Sequence, residues 1–337
     1  LFRDAGVHLW QRGLIYDGCR LLNTAESILD KLDVQEEVLR ADIHIAMALL
    51  IQYFGITHRV ESRDRFKKIL AIRERIKART PPEQYTEEDE RLLYNALADY
   101  GNSLLQFNQY QEAEEIYERC RTKYLEWGSE EDNPFEFAKF YHHLAFCRMY
   151  HRDWPGAFQM AERAIELVTR HKGQMQLILR FKFDLACIIL QSGDMERSLE
   201  MHQQILKIRL QMQGKGKASY FTLQSYYAIG ALHSHLGQFE QAETALAQAS
   251  ERAGKGFWPE VAVARTEFHL SQVLRDNGKE TPETERLDTQ ARSTLSRFLP
   301  YDPLNGVTEE DAIALFDHLQ PVFGGRFTGT CLLSYVS

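Results

Sequence analysis

Few residues in this chain have types and spacings that suggest chemistry. GKGKAS at 214–219 offers glycines and lysines of the kind that cradle phosphate at a helix start. A phosphate loop needs a Gly five residues before its Gly-Lys pair and a Ser or Thr directly after it. Gln211 and Ala218 stand at those places, so the stretch reads as a solvated loop between helices. FGGRFTG at 323–329 has no strand, turn and helix around it and reads as a chain-reversing turn. His142, His143 and His151 sit on or beside one helix, but the first two are adjacent, about 100° apart on a helical wheel. They miss the His-Glu-x-x-His spacing, and no Cys or carboxylate stands where a further ligand would be needed. A Cys–His nucleophile pair is conceivable between Cys147 or Cys187 and a histidine of a neighbouring helix. Both thiols fall beside a small residue at a helix crossing, where a buried Cys needs no chemistry. This reading assigns no catalytic residue, no metal and no cofactor.

The elements that position these residues are helical hairpins. In LQSYYAIGALHSHLGQFEQAETALAQAS, residues 223–250, Gly230 is followed seven residues later by Gly237, then by Phe239, Ala242, Leu246 and Ala249. Gly230 and Ala242 are small where two helices cross, Gly237 closes the first helix, and Ala242, Leu246 and Ala249 form a stripe of helical period. The same rhythm appears at Gly101, Asn108, Tyr110 and Ala113; at Ala145, Arg152, Trp154 and Ala157; and at Ala186, Gly193, Met195 and Ser198. The first small residues, Gly101, Ala145, Ala186, Gly230 and Ser271, are separated by 44, 41, 44 and 41 residues. One hairpin cannot bury its own stripe, so the units must stack.

Residues 1–32 form a first hairpin through Gly6, Leu9, Gly13, Ile15, Gly18, Leu22 and Ala25. A second, from Val34 to Ile76, has GITHRVESRDR in place of the tight turn and reads as degenerate with an insertion. The acidic runs EEDE at 87–90 and EED at 130–132 are expected in inter-helix loops, with a helix starting near Arg91. The predicted fold is all-α: a right-handed α-solenoid of about seven helix-turn-helix repeats, one elongated domain over residues 1–297. Residues 298–337 are expected to hold a capping helix from Thr308 to Leu319, begun by TEED, and an apolar tail, Phe323 to Ser337, over the open end.

The order of small residue, seven-residue step, aromatic and then Glu-Ala or Gln-Ala resembles the tetratricopeptide repeat, most clearly at Glu112-Ala113 and Gln241-Ala242. The longer units resemble its kinesin-light-chain-like branch, with QILKIRLQMQGKGKASYFTLQSYYAIGALHSHLGQFEQAETAL as the best example. The opening LFRDAGVHLWQRGLIYDGCRLLNTAESIL, the stretch LSQVLRDNGKETPETERLDTQAR and ALFDHLQPVF resemble the repeat region after the nucleotide-binding domain of filamentous-fungal NOD-like receptor proteins. That resemblance implies a sensor that restrains and releases a nucleotide-dependent oligomerising switch. The chain opens without Met and already within a repeat, so an upstream domain in regulatory contact with the array is expected, and any switching activity would belong to it.

The net charge of −8 argues against a general nucleic-acid surface. Five cysteines, an odd number without a Cys-x-x-Cys pair, fit a reduced cytoplasmic compartment. IHIAMALLIQYF is too short to span a bilayer and carries His and Gln, so no membrane segment is expected. The informative surface is the concave groove lined by the first helix of each hairpin. Positions six and three before, and one, four and five after each small residue give its lining, in which Asn95, Asn102, Lys139, His142, Tyr150, Arg180, Phe183, Tyr227, His235, Arg265 and Gln272 are the candidate site. Amides can clamp a peptide backbone, Lys139, Arg180 and Arg265 can hold carboxylates, and the aromatics offer apolar contact. The chain therefore reads as a protein-protein interaction scaffold for an acidic partner segment. The alternative is an acid–base enzyme with a small-molecule pocket in the groove, using His142, Tyr150, Tyr227 or His235.

Overall fold

The computed structural model describes residues 1–12, 14–31, 36–213, 219–253, 258–298, 308–323 and 326. GKGKA at 214–218, LPYDPLNG, Cys331 and nearly all of the Phe323 to Ser337 tail lie outside the described residues. Among the described residues the regular elements are all helical, and they pair in chain order. The hairpins are α1 (Phe2–Gln11) with α2 (Ile15–Lys31), α3 (Glu37–Ile51) with α4 (Arg59–Arg79), α5 (Glu87–Gln106) with α6 (Tyr110–Trp127), and α7 (Pro134–Tyr150) with α8 (Trp154–Thr169). They continue with α9 (Met175–Gln191) and α10 (Met195–Gln213), α11 (Tyr220–His235) and α12 (Phe239–Ala253), and α13 (Glu260–Asp276) and α14 (Pro282–Phe298). A last helix, α15 (Glu309–His318), packs on α13. The all-α repeat architecture and the count of about seven hairpins agree with the sequence reading.

The seven-residue step has a backbone cause. Asn108, Arg152, Gly193, Gly237 and Gly278, each seven residues after its small residue, have φ of 60°, 57°, 99°, 69° and 70°. In all five turns the amide of this left-handed residue donates to the carbonyl three residues back, and the next amide donates five back. At Gly237 these are the bonds to Ser234 O at 2.9 Å and from Gln238 to His233 O at 2.8 Å. This closes the first helix and satisfies its last carbonyls. The following helix then returns at a fixed angle and crosses at the small residue. A Cβ on Gly230 would lie 2.6 Å from Leu246 Cγ, and Ala242 opposite is fully buried.

The second hairpin departs from this scheme. Between α3 and α4 a 3-10 segment, Gln52–His58, turns at Gly55, whose φ is 65°. A Cβ there would lie 2.1 Å from the Leu319 carbonyl oxygen, so this close approach requires glycine. The acidic run Glu87–Glu90 is also not a loop. Thr86 and Asp89 form a capping box, and the run is the first turn of α5, where carboxylates face the positive end of the helix dipole.

Two compact units account for the chain: residues 1–52 with 58–181, and residues 53–57 with 182–337. In the second unit α15 gives Ala312, Leu315, Phe316 and Leu319 to an apolar cluster with Val261, Ala264, Phe268, Ala291 and Leu295. Ile56 packs on the same cluster and donates its amide to Leu319 O at 2.9 Å. An 18-residue window within Glu37–Arg79 is apolar enough for a membrane span by composition alone, but 61% of it is buried inside the protein, as in a core helix.

The turn geometry predicts opposite signs for two substitutions. Nothing lies within 4 Å of a Cβ built on Gly237, so Gly237→Ala should cost only backbone strain, about 1–2 kcal/mol. Arg152→Gly should stabilise by up to about 1 kcal/mol, because the strain of a left-handed arginine is relieved at some cost in chain entropy. Denaturation curves of both variants check this. A destabilised Arg152→Gly beside an unchanged Gly237→Ala would contradict the assigned turns.

Candidate functional site

In the first unit α5, α7 and α9 present Asn95, Asn102, Lys139, His142, Tyr150 and Arg180. Asn95 is half-buried and accepts a hydrogen bond from Tyr124 Oη at 2.9 Å, so its amide holds its own hairpin together. Asn102 is only 6% exposed, yet its Oδ1 accepts no hydrogen bond from the described residues. Lys139 lies on the neighbouring first helix with Nζ 2.5 Å from Asp99 Oδ1. His142 is buried and stacked on Phe181, ring centroids 4.2 Å apart. Tyr150 is 37% exposed and stacks on Tyr110 at 4.1 Å. Arg180 is half-buried and has no carboxylate partner among the described residues, and its Nε donates no hydrogen bond.

The second unit holds Phe183, Tyr227, His235, Arg265 and Gln272. Arg265 does not line a surface as expected from sequence. Its side chain is fully buried, with Nη1 2.5 Å from Asp317 Oδ1, a hydrogen bond to Gln224 Oε1 and the guanidinium carbon 3.7 Å over the Tyr227 ring. Here α15 supplies the carboxylate that the sequence reading sought in a partner. Tyr227 is covered by this arrangement. Phe183 is buried beside His202 and Arg209, and Gln272 is buried with Nε2 3.3 Å from Asp288 Oδ1. His235 alone of the five is exposed.

The expected row of three equivalent cations thus separates physically. Lys139 and Arg265 already have internal carboxylates, whereas Arg180 does not. Asp99 and Asp317 were the residues missed. Each interrupts an apolar helical run, ALADYG and ALFDHL, and a carboxylate buried in such a run needs a cation.

The thiols do not have the electrostatics of nucleophiles. Burial pushes Cys120 up to about 12 and raises Cys147 strongly. Cys187 is raised well above the ordinary range by burial, reinforced by Asp184 and Asp317. All three therefore stay protonated at neutral pH. Among the described residues no group of three or more His, Cys, Asp or Glu could hold a metal ion.

The successive hairpins define a helical-repeat fold of the kind the tetratricopeptide repeat builds. The sequence profile described as tetratricopeptide repeat matches residues 223–255, the hairpin of Gly230 and Gly237. No curated protein matches the chain. Solved structures do. The Rap conjugation gene regulator of plasmid pLS20 in complex with the Phr* peptide aligns with TM-score 0.57 at 13% identity, covering 87% of this chain and 72% of that one. A Rap protein complexed with competence and sporulation factor aligns at 0.55 and 16%, covering 95% and 81%. BtubC from P. vanneervenii aligns at 0.54 and 15%, covering 73% and 93%. At these identities the likeness is one of fold.

The buried histidines set a pH dependence. Burial depresses His202 and His269 to about 3 and holds His143 well below its usual range. The unfolded chain takes up these protons near pH 6.5 and the folded chain does not, so their stabilisation is full above about 6.5 and is lost as pH falls toward 3. Each contributes a slope of up to roughly 1.4 kcal/mol per pH unit in that window. The thermal midpoint should fall steadily from pH 7 to pH 5, and a flat midpoint would show that these imidazoles are charged in the folded chain.

Proposed function

We propose that the chain is a protein-interaction module that holds an extended, carboxylate-bearing segment of a partner along the first helices of the first unit. The observation that carries this is Asn102, whose side chain is nine-tenths buried while its Oδ1 has no hydrogen-bond partner among the described residues. Leaving a buried acceptor unpaired costs about 1–3 kcal/mol, and because this oxygen has essentially no accessible area, a peptide N–H recovers that cost by drawing the Asn102 side chain outward. Arg180, without a carboxylate of its own, is the cation suited to an acidic side chain, and Tyr150 gives an exposed ring edge for an apolar one. Lys139 is available only in competition with Asp99. The similarity to a Rap regulator solved with its peptide supports the same use of the fold.

Within a larger receptor, such a face would act as the sensor, a role that rests on the sequence resemblance to NOD-like receptor repeats. Nothing in the arrangement of His142, Tyr150, Tyr227 and His235 favours the enzyme alternative, since two are buried in aromatic stacks or under Arg265 and all four lie on separate turns or units.

The test is selection of binders from a random peptide library on the full chain. Acidic peptides should be enriched, and Arg180→Glu should lower their affinity at least tenfold while circular dichroism and the thermal midpoint stay close to the parent's. Asn102→Ala should also weaken them, without altering the salt dependence that Arg180 confers. Peptides that bind both variants as tightly as the parent would place the binding surface elsewhere.

A further inference from the structure

The end of α15 and the residues after it are held as a ligand is held. A helix that merely caps a repeat array shows a polar outer face to water. Here every residue from Leu315 to Phe323 is buried, including Asp317, His318 and Gln320. Several of the segment's polar groups are met by partners, although Gln320 Oε1 and Arg326 Nε make no hydrogen bond among the described residues. Asp317 pairs with Arg265, Gln320 Nε2 donates to Val261 O at 2.9 Å, and Leu319 O accepts from Ile56 N–H. Arg326 Nη2 donates to His318 O at 3.1 Å, and Phe316 stacks on Phe268 with centroids 4.6 Å apart.

Arg265 and Phe268 occupy the positions six and three before Ser271, so α15 lies on the face of α13 that corresponds to the binding face of the first unit. We infer that this face of the second unit is a docking site for a partner helix carrying a Leu-Phe-Asp-x-x-Gln pattern, and that α15 is its resident competitor. The inference rests on reading the first-helix face as a docking surface. Its chemistry is specified by the occupant: an aromatic ring for Phe268, one carboxylate for the buried Arg265, and an amide for the Val261 carbonyl. The carboxylate is obligatory, because removing it takes the countercharge from a fully buried guanidinium. The occupant is also replaceable. A ten-residue helix is too short to be stable alone, so α15 exists by virtue of its contacts, and a partner offering the same contacts replaces it without loss of the ion pair.

The experiment uses the full chain and a fluorescent peptide of residues 308–323, TEEDAIALFDHLQPVF, with anisotropy as the readout. The parent should bind it weakly, and Asp317→Asn, which weakens the resident helix while keeping its shape, should bind it at least tenfold more tightly. A peptide carrying the same Asp317→Asn change should lose at least tenfold on the variant chain. If the variant does not fold, amide exchange in the parent decides: amides of 312–319 should exchange at least tenfold faster than those of 264–273. Absence of peptide binding with equal protection of α15 and α13 would make α15 a fixed part of the core and overturn the inference. A concentration-dependent dimer without peptide binding would assign the face to a second copy and overturn it as well. The first-unit variants Arg180→Glu and Asn102→Ala should leave this peptide's affinity unchanged, which separates failure here from failure of the first-unit site.

Discussion

The left-handed residue that closes the first helix of each regular hairpin sets where everything after it can go. Its amide and the next one bond back to carbonyls that would otherwise be unpaired, and the chain leaves in a direction fixed by that pair of bonds. The same pair of turn hydrogen bonds recurs at Asn108, Arg152, Gly193, Gly237 and Gly278, each seven residues after the small residue of its first helix, Gly101, Ala145, Ala186, Gly230 and Ser271. A stripe of alanines such as Ala157, Ala161 and Ala164 is buried only because the neighbouring helix can approach that closely. The second hairpin lacks this turn and instead uses Gly55, where a carbonyl of the C-terminal segment fills the space of a side chain.

Stacking first helices side by side creates an electrostatic problem on their shared face, since polar residues at equivalent places are drawn out of water together. The protein solves it with internal partners. Lys139 is met by Asp99, Arg265 by Asp317 and Gln224, and Arg209 donates to Phe221 O and Ser225 Oγ, while its burial lowers its pKa to about 10. Such buried pairs add little net stability over apolar packing, but losing one partner is costly, so they fix which neighbours must be present. Among the described residues Arg180 has no carboxylate partner and Asn102 Oδ1 accepts no hydrogen bond, and other buried polar atoms of the first unit, such as Tyr117 Oη and Arg73 Nε, are likewise without a hydrogen bond.

The same logic separates the two units. In the first, Asn102 Oδ1 accepts no hydrogen bond and Arg180 has no carboxylate partner among the described residues; in the second, the C-terminal helix brings an aromatic ring and a carboxylate to Phe268 and Arg265 of α13. The proposed face of the first unit and the filled face of the second are both built from ordinary repeat packing. The raised thiols of Cys120, Cys147 and Cys187 and the depressed imidazoles of His202 and His269 belong to that packing, since burial is the leading cause of each shift.

Local rules account for what could be read from the sequence. Small residues at crossings, the seven-residue step to a left-handed turn, and stripes of helical period all act within one hairpin, so the all-α repeat class, the seven hairpins and the start of α15 at Thr308 were legible. The candidate face was legible only as a set of positions. Which of those residues are already partnered depends on groups about 40 or more residues away: Asp99 for Lys139, Asp317 for Arg265, Phe181 for His142. Periodicity carries no information about such pairings, because it records which way a side chain points and not what meets it there. The acidic first turn of α5 was misread as a loop because charge suggests solvent, whereas the helix dipole and the Thr86 cap favour carboxylates at a helix start. The sequence by itself determined the repeat and its turns; only the tertiary structure decided which of the candidate side chains are buried and which are met by an internal partner, because burial and charge pairing are properties of stacked neighbours.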